Sequence, residues 1–200
     1  MSKKISRRDF IRTTAAAGGA AALMPQTIFS SQNKKNLRVG FIGTGLRGQW
    51  MLWLATKYPD VEIPAICDID DGMISAALKI IKDSGRKEPK VYKKNDEDFR
   101  NLVKNEELDG VYIATPWEWH HPMAIAAMKE GIHVGTEVPA ALTVNECWDL
   151  VNVSENTGKF CMIMENVCYR RDVMAVLNMV RRNMFGELLH CQGGYQHDLR

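Results

Sequence analysis

Short apolar runs alternate with longer amphipathic stretches from Leu37 onward. The runs Leu37–Ile42, Gly110–Ala114 and Phe160–Met164 are almost continuously apolar, which is typical of parallel strands that are buried on both faces. Three further runs have the same character, at residues 61–67, 91–92 and 133–135. The pattern therefore predicts six strands of a parallel sheet.

A stretch with helical character follows each of the first five predicted strands. These helices are expected over residues 46–58, 72–82, 96–103, 123–129 and 143–157. Asp96 is expected to cap the third helix, and Thr143 with Glu146 is typical of a capping box. This alternation predicts an α/β fold, a Rossmann-type doubly wound parallel sheet.

Residues 167–200 follow a different pattern, and we expect them to begin an α+β substrate domain that the chain does not complete. A helix is predicted over residues 172–183, followed by a strand from Leu188 toward Tyr195. Met174, Leu177 and Val180 recur at helical spacing, so we expect them to pack in a core.

Charge is distributed unevenly along the 200 residues, of which 46% are apolar and 25% are charged. The net charge of the chain is +2. Residues 1–36 carry seven Lys and Arg residues and one Asp, whereas residues 37–200 carry 19 Lys and Arg residues and 23 Asp and Glu residues. The basic excess belongs to the leader. The body therefore offers no electrostatic case for nucleic acid.

The leader, residues 1–36, contains Arg7-Arg8, a polar residue and two bulky apolar residues, and then an Ala- and Gly-rich stretch that ends at Pro25. This order is typical of a twin-arginine export signal, and the stretch is too short for a stable membrane span. The signal predicts export, with the periplasm as the destination. The alternative is a basic N-terminus in which Arg-Arg occurs by chance.

Five cysteines are present, and none forms a Cys-x-x-Cys pair. Because most of them lie in apolar runs, we expect buried, reduced thiols. Histidine and cysteine show no metal-ligand spacing, so no metal site is predicted.

The first predicted strand is followed by a glycine-rich turn, Gly43-Thr44-Gly45-Leu46-Arg47-Gly48, that opens a helix. This context is typical of a dinucleotide-binding turn. Gly43 would permit the tight turn, Gly45 the approach of a pyrophosphate to the backbone, and Gly48 close packing of the helix on the strand. A Rossmann domain with no ligand is the alternative. On this interpretation residues 37–166 form a dinucleotide-binding domain.

Asp68 follows Gly48 by twenty residues, at the end of the second predicted strand. Its carboxylate can accept hydrogen bonds from the adenosine ribose hydroxyls. Asp68, Asp70 and Asp71 together would repel a 2′-phosphate, which favours NAD over NADP as the cofactor.

Polar and aromatic motifs follow the later strands, where an open α/β sheet binds its ligands. Trp117-Glu118-Trp119-His120 follows the fourth strand, Glu137-Val138-Pro139 the fifth, and Glu165-Asn166-Val167-Cys168-Tyr169 the sixth. Each has an ordinary alternative: packing for the tryptophans, a helix start for His120 and a turn for Asn166. Tyr195 and His197 alternate along the last predicted strand and would share one face.

These motifs resemble the glucose–fructose oxidoreductase, inositol dehydrogenase and MocA-like (Gfo/Idh/MocA) family, and most closely glycoside hydrolase family 109. The resemblance extends from about Leu37 to Arg200. It implies NAD-dependent α-N-acetylgalactosaminidase activity on a glycan or glycoside. It also implies cofactor contacts from the glycine turn, Asp68 and the three later motifs. The residues assigned to the cofactor are Gly43, Gly45, Leu46, Arg47, Gly48, Asp68, Trp117, Glu118, Trp119, His120, Glu137, Val138 and Asn166.

The mechanism implied by the resemblance uses NAD without consuming it. NAD⁺ takes a hydride from C3 of the sugar, the ketone acidifies C2, the glycosidic oxygen leaves by elimination, water adds and the hydride returns. Glu137 and His197 are expected to be catalytic, and Tyr195 to bind substrate. Dehydrogenases of the broader family have lysine where this chain has Val138, which cannot transfer a proton.

Two other functions stay open at this stage. The chain could be an NAD-dependent sugar dehydrogenase, or a non-catalytic dinucleotide-binding module. The sequence also leaves the choice between a monomer and a homo-oligomer open.

Overall fold

The computed structural model describes residues 36–194, and its elements follow the predicted alternation of strands and helices. In chain order they are β1 (Leu37–Ile42), α1 (Leu46–Ala55), β2 (Val61–Glu62), β3 (Ala65–Cys67), α2 (Asp71–Asp83), β4 (Lys90–Tyr92), α3 (Phe99–Asn105), β5 (Gly110–Ile113), α4 (Trp117–Lys129), β6 (His133–Thr136), α5 (Val144–Thr157), β7 (Cys161–Ile163), a 3₁₀ turn (Val167–Tyr169) and α6 (Arg171–Arg181).

All the strand pairs are parallel, in the order β4-β3-β1-β5-β6-β7, with β2 also beside β1. The last residue of β1, Ile42, lies between Cys67 of β3 and Ile113 of β5. The chain leaves β1 toward β3 and later returns to its other side at β5, so the strand order reverses there. This arrangement confirms the predicted Rossmann-type doubly wound sheet, and it opens a crevice at the carboxyl ends of β1 and β5.

The second predicted strand is interrupted and forms β2 and β3. Arg38 pairs with Glu62 and Phe41 with Ile66, so the second strand has one residue more than β1 between these pairs. Pro64 lies in this interval and has no N–H group to donate to a neighbouring strand. The prediction of one continuous strand was therefore wrong at this proline.

Two helix starts also differ from the prediction. Helix α4 begins at Trp117, not at residue 123 as predicted, and it contains Pro122. Helix α3 begins after Asp98, not at Asp96, and the Asp98 carboxylate accepts hydrogen bonds from the Lys94 N–H (2.9 Å) and the Asn101 amide (2.7 Å). In contrast, the structure confirms the capping box that begins α5.

Helices cover both faces of the sheet and enclose two groups of buried side chains. One face is packed by Phe99, Leu102, Ile113 and Met128, among others. The other face is packed by Phe41, Leu52, Ile66 and Ile81, among others. Burial on both faces is the physical reason why β3, β5 and the second half of β1 are apolar without alternation. The edge strand β7 is apolar but exposed at Met162 and Ile163.

The region after β7 differs most from the expectation. Residues 188–194 form no strand in the structure, because no described strand lies beside them to accept and donate backbone hydrogen bonds. Leu177 and Val180 are exposed, and the described residues bury no side chain of α6, so the predicted core around Met174 is wrong for this part of the chain. Tyr195, His197 and the twin-arginine leader lie outside the described residues.

All five cysteines are free. Cys67 is buried as expected, but Cys147, Cys168 and Cys191 are exposed, so the expectation of buried thiols was wrong for these three. Cys147 and Cys168 lie on the solvent-facing sides of α5 and the 3₁₀ turn. Between residues 36 and 194, no helix is long and apolar enough to cross a membrane.

Candidate functional site

A cleft of about 460 Å³ lies at the carboxyl ends of β1, β3 and β5, where the strand order reverses. Its walls come from the glycine turn, from the loops after β3 and β4, and from the loop that leads into α4. The lining residues are Ile42, Gly43, Gly45, Leu46, Arg47, Cys67, Asp68, Ile69, Met73, Asn95, Asp96, Ala114, Thr115, Pro116, Trp119 and Met123.

The three glycines of the turn differ in their surroundings. Gly43 has φ +87°, and a Cβ atom there would lie 2.6 Å from the carbonyl group of Ala114. A Cβ atom at Gly48 would lie 2.1 Å from the carbonyl oxygen of Gly43, so only glycine lets α1 approach the turn this closely. At Gly45 no atom lies within 4 Å of such a Cβ atom, so this residue borders open space in the cleft.

The N-terminus of α1 opens into the same cleft. Gly45 occupies the N-cap position and supplies no side-chain cap, and no acidic residue is present in the first turn. The N–H groups at the start of the helix therefore have no side-chain acceptor, and the helix dipole favours an anion there. The open side of Gly45 and these donors fit the pyrophosphate of a dinucleotide.

Asp68 lies at the end of β3 and holds the turn in place. Its Oδ2 atom accepts hydrogen bonds from the Thr44 N–H (2.5 Å) and from the Thr44 hydroxyl (3.1 Å), and its Oδ1 atom accepts one from the Asp70 N–H (3.0 Å). Thr44 itself is fully buried. Since a carboxylate accepts about four hydrogen bonds, one position remains for a ligand hydroxyl.

The other acidic residues near Asp68 have different roles. Asp70 caps α2 by accepting from the Met73 N–H, and Asp71 pairs with Lys93 at 2.6 Å. Neither lines the cleft, whereas Asp96, the expected cap of α3, does. The strand order could have indicated this residue, because the loop after β4 must lie beside the end of β3.

Glu137 follows β6 and is held by two partners. Its Oε1 atom accepts hydrogen bonds from Arg47 Nε at 2.7 Å and from the Tyr112 hydroxyl. Burial alone would lower the pKa of Arg47, but the hydrogen bond and charge of Glu137 outweigh it and raise the pKa of Arg47. Burial first, and then Glu137, raises the pKa of Tyr112. Glu137 is therefore a paired carboxylate, and Arg47 is the member of the trio that reaches the cleft.

His120 and Trp119 have packing roles at the start of α4. His120 is almost fully buried, and its ring nitrogens lie 2.6 Å from the Pro139 carbonyl oxygen and 2.9 Å from the Thr115 carbonyl oxygen. The ring thus joins the loops after β5 and β6 and has no nitrogen left for a ligand. Trp119 contacts Phe99 edge-on and also lines the cleft.

The remaining residues predicted to contact the cofactor lie at the surface, namely Leu46, Trp117, Glu118, Val138 and Asn166. Of these only Leu46 lines the cleft. The structure thus brings the glycine turn, Arg47, Asp68 and Trp119 together around one cavity, and it leaves Glu118 and Asn166 apart from it.

The cleft also contains one thiol, which burial makes unreactive. Burial, with smaller effects of Asp98 and Asp68, raises the pKa of Cys67 to about 12. A thiol with this pKa is protonated at neutral pH and is a poor nucleophile. Within the described part of the chain, no three His, Cys, Asp or Glu side chains are grouped so as to hold a metal ion.

Comparison with known proteins places this fold and cleft in a defined class. The model of an oxidoreductase family with an NAD-binding Rossmann fold, the Gfo/Idh/MocA family, matches residues 37–165. The chain therefore belongs to the Gfo/Idh/MocA oxidoreductase family. Residues 169–200 match the C-terminal domain of glycosyl hydrolase 109, and residues 4–24 match the twin-arginine signal sequence.

Curated relatives narrow the similarity within that class. A glycosyl hydrolase family 109 protein of Parabacteroides distasonis is 51% identical over 98% of this chain and 45% of the relative. An α-N-acetylgalactosaminidase of Tannerella forsythia is 50% identical over 98% of this chain and 46% of the relative. The chain thus spans less than half of the length of these relatives.

Among solved structures, the chain resembles scyllo-inositol dehydrogenase from Lactobacillus casei with bound NAD(H) and scyllo-inositol. The TM-score is 0.67 at 19% identity, covering 76% of this chain and 43% of the dehydrogenase. At this level of identity the similarity shows that the two proteins share a fold.

Proposed function

We propose that this chain is the NAD-binding part of an exported glycosidase that acts on terminal α-N-acetylgalactosamine. The observation that carries the proposal is the presence, in one chain, of a cleft suited to a dinucleotide and of about 50% identity to relatives named for this hydrolase family and activity. The twin-arginine signal match supports export, with the periplasm as the destination.

The cleft offers each part of the dinucleotide a matching group. The start of α1 and the open side of Gly45 receive the pyrophosphate, and Asp68 accepts from a ribose hydroxyl with its remaining position. The carboxylates of Asp68 and Asp96 disfavour a 2′-phosphate, so the site favours NAD over NADP.

The chemistry that bound NAD supplies is a reversible acceptor for a sugar hydride, so that elimination and hydration of the glycoside proceed without net oxidation. Glu137 lies beside the cleft, and its Oε2 atom, which has no hydrogen-bond partner among residues 36–194, can accept a hydrogen bond from the sugar. Tyr195 and His197 are proposed to bind the sugar and to move a proton, because a phenol and an imidazole on one face of a strand suit both tasks.

The second candidate function is that of a sugar dehydrogenase, which is favoured by the similarity of this chain's fold to that of scyllo-inositol dehydrogenase. Val138 argues against it, because valine occupies the position where dehydrogenases of this pattern have a proton-transferring lysine. A non-catalytic NAD-binding module is the third candidate.

One experiment separates the three candidates. The chain is extended to the length of its relatives, loaded with NAD and given p-nitrophenyl α-N-acetylgalactosaminide. Release of p-nitrophenol without accumulation of reduced nicotinamide supports the glycosidase. Accumulation of reduced nicotinamide with free sugar supports the dehydrogenase, and NAD binding without either product supports the binding module.

A further inference from the structure

Arg47 is the one positively charged residue among the described residues that line the cleft, and it does not act there alone. It is the second residue of α1, so its side chain starts beside the helix N-terminus that suits a pyrophosphate. Its Nε atom donates to Glu137 across 90 residues of sequence, and its guanidinium lies over the Trp50 ring at 5.1 Å. A guanidinium has five N–H donors, and the bond to Glu137 uses one of them.

The two members of this ion pair differ in exposure. The Arg47 side chain keeps 39% of its surface accessible, whereas Glu137 keeps 13%. Glu137 is therefore the more enclosed member of the pair, and its negative charge offsets part of the positive charge that Arg47 presents to the cleft. An anion that binds in front of Arg47 can use the remaining N–H donors, but it shares the positive charge of the guanidinium with Glu137, so each anion weakens the attraction of Arg47 to the other.

We propose that Arg47 couples the two halves of the site, contacting the dinucleotide pyrophosphate while it holds Glu137, so that occupancy of the glycine turn loosens Glu137. Glu137 then has more freedom to accept a hydrogen bond from the sugar. Coupling between two sites is reciprocal, so the charge of Glu137 must in turn weaken the binding of the anion. This proposal rests on the proposed function, because it takes the ligand of the turn to be a dinucleotide.

The test uses the 200-residue chain and two probes, ADP and adenosine, which share the nucleoside but differ in the pyrophosphate. Arg47→Gln is expected to lower ADP affinity by about tenfold or more, the usual effect of losing a charged hydrogen bond, and to leave adenosine affinity unchanged. Arg47→Lys should recover part of the ADP affinity. Arg100→Gln is the matched control, because it removes the same charge from an exposed ion pair, that of Arg100 on α3 with Glu97 just before the helix.

Glu137→Gln tests the coupling itself, because glutamine can still accept the hydrogen bonds of Arg47 and Tyr112 through its oxygen but carries no charge. We expect this variant to bind ADP roughly two- to fivefold more tightly, in line with the loss of a partly exposed opposing charge. In the Arg47→Gln background the same change should have a smaller effect, as a double-mutant cycle requires. Addition of ADP, but not of adenosine, should also change the fluorescence of Trp50, whose ring lies against Arg47. The Trp50→Phe variant identifies this signal, because it lacks it.

Three outcomes overturn the proposal. Unchanged ADP affinity in Arg47→Gln means that Arg47 does not contact the pyrophosphate. An equal loss of adenosine affinity means that Arg47 only supports the turn. Weaker ADP binding by Glu137→Gln means that Glu137 assists the anion instead of opposing it. If the unaltered chain binds neither ADP nor NAD, the proposed function fails together with the coupling. If the unaltered chain binds NAD and Arg47→Gln binds ADP as tightly as the unaltered chain does, only the coupling is rejected.

Discussion

Replacement of Gly45 by alanine should lower the affinity for NAD but leave the free energy of unfolding almost unchanged. A Cβ atom at this position meets no atom within 4 Å, and the backbone has φ −63° and ψ −172°, which alanine can adopt. Alanine is a poorer N-cap than glycine, but at an allowed φ it stabilises a protein by about 0.4–1 kcal/mol through the unfolded state. Because these effects oppose each other, the free energy of unfolding should change by less than ~1 kcal/mol.

The same methyl group enters the space where the pyrophosphate would approach the backbone. We therefore expect Gly45→Ala to lower NAD affinity by about tenfold or more, which corresponds to about 1.4 kcal/mol. Titration calorimetry measures the affinity, and urea denaturation of the same samples measures the free energy of unfolding.

Gly48→Ala provides the comparison, since its Cβ atom would lie 2.1 Å from the Gly43 carbonyl oxygen and either α1 or the turn must move. Overpacking costs about 1–3 kcal/mol, and a contact of 2.1 Å with a backbone atom belongs at the upper end of that range, above the roughly 1 kcal/mol that alanine adds to a helix. Gly48→Ala should thus lose stability as well as NAD affinity. Normal NAD binding by Gly45→Ala would refute the assignment of the turn to a pyrophosphate.

Four further predictions concern other parts of the molecule. Asp68→Ala should weaken NAD binding by about 1–3 kcal/mol and narrow the preference over NADP, measured by calorimetry with both cofactors, because it removes the ribose acceptor and frees the buried Thr44 N–H. His120→Ala should lower the free energy of unfolding by about 2–4 kcal/mol in denaturant titrations, because it leaves a buried cavity and removes the ring that lies between the Thr115 and Pro139 carbonyl groups. Hydrogen bonds from Asn101 and from the Lys94 N–H lower the pKa of Asp98. The Asp98 carboxylate therefore stabilises the fold above the ordinary carboxyl pKa, and this contribution is lost as the pH falls through the lower pKa of the folded state. In Asp98→Asn, the free energy of unfolding should fall less steeply with decreasing pH, as denaturant titrations at several pH values would show. Replacing Arg7-Arg8 with two lysines should retain the protein in the cytoplasm with NAD binding intact, as cell fractionation would show.

Controls for these predictions come from the same molecule. Asp71→Asn removes a carboxylate that pairs with Lys93 outside the cleft, so it should leave the choice between NAD and NADP unchanged. His121→Ala removes the neighbouring histidine, whose contact is with the exposed Asp149, and it should cost less than about 1 kcal/mol. NADP binding tighter than NAD binding in the unaltered protein, or a stability loss in His121→Ala equal to that in His120→Ala, would contradict the reasoning.

Local patterns in the sequence were sufficient for most strands of the sheet, the glycine turn and the capping box. Strands buried on both faces must be apolar throughout, and Thr143 and Glu146 satisfy each other's backbone within one helical turn. The sequence was less informative at prolines. Pro122 lies inside α4 and removes only one bond, to the carbonyl group of the exposed Glu118, so a helix start placed after it was too late.

The expected roles of several residues depended on tertiary contacts. His120 has the sequence context of a ligand-binding residue, but the loops after β5 and β6 enclose it and occupy both of its ring nitrogens. Asp96 precedes a helix and could have capped it, but the loop after β4 turns it toward the cleft. Neither outcome is visible locally, because each depends on a segment that is distant in sequence.

The amino-acid sequence by itself determined the class of fold and the turn that would receive a phosphate, because both follow from burial and from backbone freedom within a few residues. Only the tertiary structure decided that Arg47 would contact Glu137, and that Asp68 would accept two of its three hydrogen bonds from Thr44. The physical reason is that a parallel sheet gathers the carboxyl ends of its strands at one edge, whatever their separation in sequence. Side chains from those ends then compete for the same partners, and the geometry of the sheet decides which pairs form.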